Sequence, residues 1–300
     1  MKKFFIVAAM IALTGLVFAE QPAPGPWKVD ISTGVVTTQS SYSDNWTGGE
    51  AGSINWTAFY YEKVNRQVSS NWYIGNDTKL SFGQTHTQEK ATKDWQSPAK
   101  SEDKIRYDGI AKLTKGWFAD PYFALTLESQ FFDASSPVNK RYLNPLELTE
   151  SSGLARHLFN VPDVRVLTTR LGLGLRERFT KSDDPLDSTK TVSETAMDGG
   201  AEWVTDLILG SAKAKYSFDS KLTVFQAFFN SKEDELPNDY WKTADANWDN
   251  TFRVKVSSLI NVGLAWQLLY DKEIDLGGRL KQTLNLGIVY NFANYEPEKK

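Results

Sequence analysis

Thr283-Leu284-Asn285-Leu286-Gly287-Ile288-Val289-Tyr290-Asn291-Phe292, close to the C-terminus, is the stretch whose reading decides the fold. Leu284, Leu286, Ile288, Tyr290 and Phe292 share one side of an extended chain. Thr283, Asn285, Gly287 and Asn291 share the other, with Val289 the one apolar exception. Side chains of a strand alternate between faces, so this period of two marks a strand with one apolar face ending in aromatics.

The same alternation recurs upstream. Trp27, Val29, Ile31 and Val35 alternate with Lys28, Asp30, Ser32 and Gly34. Ile54, Trp56, Ala58 and Tyr60 alternate with Asn55, Thr57 and Phe59. A long run follows within 68–86. Ile105, Tyr107 and Leu113 oppose Arg106, Asp108 and Lys112. Phe123, Leu125 and Leu127 oppose Thr126 and Glu128. Leu171, Leu173 and Leu175 face away from Arg170, Gly172, Gly174 and Arg176; Trp203, Leu207 and Leu209 face away from Glu202 and Asp206. Residues 221–229 are apolar on both faces. Phe252, Val254 and Val256 oppose Arg253 and Lys255, and the run from Ile260 to Tyr270 opposes Asn261, Gly263, Ala265 and Gln267.

One apolar face on every strand, with no helices to cover it, predicts an all-β protein. The expectation is an antiparallel up-and-down transmembrane β-barrel, residues 27–292, in the bacterial outer membrane. Such barrels have short periplasmic turns, longer external loops and an even strand count. Short turns are expected near 63–66, 115–120, 218–220 and 257–259, and long polar connections at 39–52, 88–103, 181–198, 231–244 and 271–279. Strict alternation of the two requires a descending strand between 122–132 and 164–179. Residues 147–159, followed by the turn Asn160-Val161-Pro162-Asp163, supply it. The count is then twelve, with ten and fourteen as the neighbouring alternatives.

The N-terminus is that of an exported protein. Lys2 and Lys3 precede an apolar run over 4–18, and Val17-Phe18-Ala19 offers small residues for cleavage after Ala19. Residues 1–19 are therefore expected to be a signal peptide, 20–26 a periplasmic linker and 293–300 a disordered periplasmic tail. No other segment approaches the roughly 18 apolar residues of a transmembrane helix. A mean hydropathy of -0.42 suits alternating strands. Ten Trp, twelve Tyr and seventeen Phe suit interfacial girdles. With no cysteine, disulfides, thiol chemistry and lipidation at a cysteine are excluded. The net charge is -3; loss of Lys2 and Lys3 leaves 32 basic against 37 acidic residues, which is not the balance of a nucleic-acid-binding protein.

Several short motifs, in order, resemble an uncharacterised family of bacterial outer-membrane β-barrels, a domain of unknown function. They are Asn45-Trp46-Thr47-Gly48-Gly49 with Ile54-Asn55-Trp56, Asn71-Trp72 with Phe82-Gly83, Asp103-Lys104, and Asn144-Pro145 with Leu148-Thr149-Glu150-Ser151. Arg170-Leu171-Gly172-Leu173-Gly174-Leu175-Arg176, Gly199-Gly200-Ala201-Glu202, Tyr270-Asp271 and Tyr290-Asn291-Phe292 complete the series. The resemblance spans most of the mature chain and implies a transmembrane barrel, with no activity, substrate or functional residue attached. One departure is that eight residues follow Phe292, where a barrel insertion signal usually ends at the aromatic.

Catalytic chemistry finds little to work with. His86 and His157, the only histidines, belong to opposite ends of the expected barrel. Thr85-His86-Thr87 has no serine two positions from the histidine, and Leu209-Gly210-Ser211 lacks the setting of a nucleophile elbow. Residues 183–187 lack the spacing of a calcium loop. The expectation is a protein that is not an enzyme and has no metal and no cofactor. The polar feature that stands out is lumenal charge: Arg106, Arg170, Arg176, Arg178, Arg253 and Lys255, with Lys28 and Lys112 beside them. Their expected counter-charges are Asp108, Glu128, Glu202 and Asp206, with Asp30. Charge in lipid is costly, so these residues face inward whatever the barrel does. The expected function is the first of the two readings that follow, the second is its alternative, and a lipid-modifying enzyme stands behind both. Arg170, Arg176 and Arg178 form a basic rung in a narrow channel for small hydrophilic, anionic solutes, or the charges neutralise one another in a filled lumen. In the second case the external loops, with Trp46, Trp95, Trp241 and Trp248, do the binding. Expected partners are outer-membrane lipid and, through the C-terminal strand, the barrel-assembly machinery; the expected state is a monomer that binds no nucleic acid.

Overall fold

The computed structural model of the protein describes residues 22–43, 50–161, 164–210 and 214–295. The expected signal peptide, Trp46 and its neighbours, the Pro162-Asp163 step, Ser211 and residues 296–300 of the tail lie outside them. The chain forms twelve strands: β1 (Lys28–Ser40), β2 (Ser53–Ser69), β3 (Trp72–Thr87), β4 (Ala99–Leu113), β5 (Asp120–Ser129), β6 (Leu146–Val161), β7 (Arg165–Asp183), β8 (Thr191–Leu209), β9 (Tyr216–Asn230), β10 (Asp245–Lys255), β11 (Ile260–Tyr270) and β12 (Arg279–Ala293). Each pairs antiparallel with the next, and β1 pairs with β12, closing the barrel. The descending strand required by loop alternation is β6.

Closure satisfies every strand edge, the condition for crossing a bilayer without a helix. The seam runs from Asp30 opposite Ala293 to Val36 opposite Gly287. It is tight: a Cβ on Gly34 would lie 2.3 Å from the Ile288 carbonyl oxygen, and one on Gly287 would lie 2.5 Å from that of Val35. Here glycine is needed because backbone occupies the space of a side chain.

Register assigns the two faces. Opposed residues in an antiparallel pair point the same way, so the row Tyr61–Lys79–Arg106–Glu128–Glu147–Arg178 runs round the inside. The row Phe123–Ser152–Leu173–Ala201 runs round the outside. The outer face is an apolar belt of residues such as Leu284 and Ile288, 69% and 67% exposed. Apolar side chains left open in this number need a lipid solvent. The short connections lie at one end, together with the start of β1 and the end of β12. The long ones, including the 130–145 and 231–244 loops, lie at the other. The molecule is an outer-membrane β-barrel, with its short turns on the periplasmic side.

Three local expectations are corrected. The first turn is Ser70-Asn71, not 63–66; Lys63 lies well inside β2, which continues to Ser69, and Val68 belongs to β2 rather than β3. Phe218, Asp219 and Ser220 are not a turn but part of β9, paired with Phe252, Thr251 and Asn250. Trp248 is not in a loop. It sits on β10, outward, and its Nε1 donates to Ser220 Oγ at 2.9 Å. At these places Lys63, Asp219 and Asp249 face the lumen, where polarity does not interrupt the strand.

Candidate functional site

The lumen is lined by ionic side chains, built up from both walls. On β4, Arg106 Nε donates to Asp108 Oδ2 at 2.7 Å and its Nη1 donates to Glu128 Oε1 at 2.6 Å. Asp108 also accepts from Thr126 Oγ1 at 2.9 Å and, across the lumen, from Lys221 Nζ of β9 at 2.8 Å. This carboxylate thus joins its own wall to the opposite one, with Oδ1 shared between Thr126, Arg106 and Lys221. Arg106 is only 5% exposed, a burial an ion tolerates when its donors are met by carboxylates.

Further pairs repeat the crossing at other heights. Lys63 of β2 donates to Asp219 of β9 at 2.8 Å, and Arg253 of β10 donates to the second oxygen of Asp219. Lys104 of β4 meets Asp249 of β10 at 3.3 Å. Those two strands are six apart in either direction round the ring, so this ion pair spans the full width of the barrel. Nearer the external end, Lys281 of β12 pairs with Glu102 of β4.

The other expected lumenal residues occupy separate positions. Arg170, Arg176 and Arg178 do not form a rung: they follow one another along β7, at three heights, each with its own partner. Arg170 lies over the Tyr122 ring at 5.6 Å and 3.9 Å from Glu202. Arg176 is held by Asp198 at 2.6 Å and Asp245 at 2.8 Å, above the Phe225 ring. Arg178, at the external end, is half exposed and paired with Glu147 at 2.6 Å. Asp206 stands in register with Thr168 and Lys221. Lys255 closes β10 opposite Asn261 at the periplasmic end. His157 faces inward, within 3.0 Å of Lys112 Nζ and 2.9 Å of Thr168 Oγ1; His86 is at the far end of β3. Among the described residues no cluster of three metal-ligating side chains occurs.

At the external mouth a loop packs inward. The 3₁₀ turn Tyr240–Lys242 in the β9–β10 loop buries Trp241 against Phe225 and Ala227, both lumen-facing residues of β9, with Leu236 beside them. Trp241 is therefore packed on the lumenal wall, whereas Trp95 remains exposed in the β3–β4 loop. Beside the mouth, the 130–145 loop is latched to β7. Arg141 pairs with Asp133 at 3.0 Å and Asp183 at 3.3 Å, and Asn144 Nδ2 donates to Asp133 at 2.6 Å and to the Lys181 carbonyl at 2.9 Å. Burial opposes ionisation of Asp133, but hydrogen bonds from Ser135 and Asn144 and the charge of Arg141 outweigh it, holding this carboxyl below the usual range.

Lys63, Asp219, Lys104, Asp249 and Lys221 are the functional side chains that sequence reasoning missed. Their partners are far away in the chain, 156 residues for Lys63 and Asp219 and 145 for Lys104 and Asp249, so no local spacing marks them. The period of two, carried further along β2 and β9, is the signal that would have placed Lys63 and Asp219 inside.

No protein-family model matches this sequence. No curated protein matches it. Solved structures similar to it include an outer membrane channel from Pseudomonas putida F1, at TM-score 0.40 and 12% identity, over 92% of this chain and 98% of that one. The translocator domain of the autotransporter NalP from Neisseria meningitidis is similar at TM-score 0.33 and 11% identity, over 97% and 94%. The beta domain of the Bordetella autotransporter BrkA is similar at TM-score 0.31 and 12% identity, over 91% and 100%.

Proposed function

We propose that this outer-membrane barrel is a non-catalytic, solute-tight barrel that acts through its external loops and outer surface. The observation that supports this reading is the ion pairing across the lumen: Lys63 with Asp219, Lys221 with Asp108, and Lys104 with Asp249 join opposite walls at successive heights. A passing ion would have to part these partly buried pairs, a cost between about 1 kcal/mol for an exposed pair and about 3–5 kcal/mol for a buried one. Trp241 adds a second barrier at the mouth.

A second reading, a narrow channel for small hydrophilic and anionic solutes, is favoured by the wall formed by β11, β12 and β1. Its lumenal side chains include Gly34, Gly263, Ala265 and Asn285, and a cavity of about 50 Å³ lies there between Phe59 and Val289. That volume holds a water molecule or two.

Planar-bilayer recording separates the readings. The closed barrel predicts wild-type protein at background conductance and steps in the variant Lys104→Ala/Lys221→Ala/Asp249→Ala. Steady wild-type conductance with anion selectivity would reverse the choice and make the β11–β12–β1 wall the path.

A further inference from the structure

Most of the lumenal cations described above are met by carboxylates; four cations at the periplasmic foot of the outer face are met by aromatic rings. The Arg66 guanidinium lies 5.6 Å over the Trp27 ring, and its Nε donates to the Gly25 carbonyl at 3.0 Å. Arg156 lies 4.0 Å over Phe118, Arg165 5.9 Å over Phe159, and Lys215 5.4 Å over Tyr216. Register places the three arginines on the outer face: Arg66 opposes Ile74, Arg156 opposes Thr169, and Arg165 opposes Leu209. Lys215 is in the short turn that leads into β9. Among the described residues, none of the four forms an ion pair with a carboxylate. Glu62 shares the outer face of β2 with Arg66 but stands four residues further into the belt.

We propose that this foot is a headgroup-binding collar, in which Arg66, Arg156, Arg165 and Lys215 hold the phosphates of anionic phospholipids in the periplasmic leaflet. The geometry supplies both halves of such a site. The rings of Trp27, Phe118, Phe159 and Tyr216 are all exposed at the outer surface, where amphipathic rings mark the boundary between hydrocarbon and water. A cation stacked on a ring is held at that depth with its remaining N–H donors free, and phosphate is the anion available there. The four cations stand at the feet of β2, β6, β7 and β9, so the collar is distributed and each member engages a separate lipid.

Native mass spectrometry of the folded barrel, released from detergent with phosphatidylglycerol or phosphatidylcholine, tests this. Wild type should retain phosphatidylglycerol over phosphatidylcholine by about tenfold, the effect of a few surface cations acting near an anionic headgroup. The variant Arg66→Gln/Arg156→Gln/Arg165→Gln/Lys215→Gln should retain the two equally, and Arg66→Lys/Arg156→Lys/Arg165→Lys should keep the preference. Heat-modifiable gel migration verifies folding. If the fourfold variant does not fold, Arg156→Gln/Arg165→Gln should lower the preference about threefold. An unchanged preference in a folded glutamine variant overturns the collar, as does a wild type without preference. Displacement of the lipid by millimolar inorganic phosphate would make it a free-phosphate site and overturn the lipid assignment.

Discussion

The two sides of the lumen are built on opposite plans. From β2 round to β10 the inward positions carry long ionic side chains, Lys63, Lys104, Arg106, Arg176 and Lys221 among them. On β11, β12 and β1 the middle of the lumenal face reads Asn261, Gly263, Ala265, then Asn285, Gly287, Val289, then Ser32, Gly34, Val36, without a charge. The difference shows how ion pairs and small side chains divide the lumenal wall between them. Charged side chains of the two ends of the long arc, β2 and β4 on one side and β9 and β10 on the other, reach across to one another, and the short arc between those ends carries small side chains. The charged arc is held by mutual neutralisation, the small arc by close backbone approach at the seam.

The largest effect is expected where the charged arc is broken one-sidedly. Arg106→Ala removes the guanidinium shared by buried Asp108 and partly exposed Glu128, leaves Asp108 with Lys221 and Thr126 alone, and should destabilise the barrel by about 3 kcal/mol in urea unfolding from micelles. A loss below about 1 kcal/mol, the level of an exposed pair, would mean that water reaches these charges and that the arcs do not differ in the way described. Removing both members of a crossing pair tests the complementary point. Lys104→Met/Asp249→Asn keeps the size of each side chain and removes the charges, so stability should change by no more than about 1 kcal/mol in either direction, whereas Lys104→Met alone should cost several times that. A double variant as damaged as the single would show that Asp249 and Lys104 serve other partners.

Most of the wall was legible from alternation alone, because each strand needs one face for lipid and the chain has no other means of covering it. The terminal strand read from Leu284, Leu286, Ile288, Tyr290 and Phe292 is β12, with Val289 on the inside as its exception to the pattern implied. The weakly patterned segment beginning at Glu147 became β6 because the alternation of short and long connections left no other topology. The charged site was legible only in part. Lumenal facing of Arg106, Asp108 and Glu128 follows from period two. That Lys221 of β9 also reaches Asp108 follows only from closure, which sets β4 and β9 on opposite sides. Trp241 was unreadable for a different reason: a loop aromatic is placed by the path of its loop, and no periodicity describes that path.

Acid provides a milder perturbation that acts at one edge of the charged arc. The Asp133–Arg141–Asp183 latch ties the 130–145 loop to β7, over that arc. Because the folded Asp133 carboxyl sits below its unfolded value, its stabilisation is complete above the ordinary Asp range and is lost as the pH falls through the folded value. Limited proteolysis with an acid-active protease should therefore cut the loop at about pH 2–3 and leave it intact at about pH 5. Arg141→Met should allow cutting at both. Uniform resistance at low pH would show that the hydrogen bonds of Asn144 suffice without the charge.

The smallest effects should come from the small arc, and their pattern matters more than their size. Gly34 and Gly263 both face the lumen, yet their surroundings differ. A Cβ on Gly34 meets the Ile288 carbonyl oxygen at 2.3 Å, while one on Gly263 has nothing nearer than 3.8 Å. Gly34→Ala must push the seam apart and should cost about 1–3 kcal/mol, the usual penalty of overpacking. Gly263→Ala fits as the chain stands and should fall within about 0.5 kcal/mol of wild type. If residual conductance exists, Gly263→Leu should reduce it without unfolding the barrel, since the added bulk enters the cavity beside Arg253 and Asn285. Equal tolerance at the two glycines would mean that the seam is looser than its register implies, and closure would then rest on the charged arc alone.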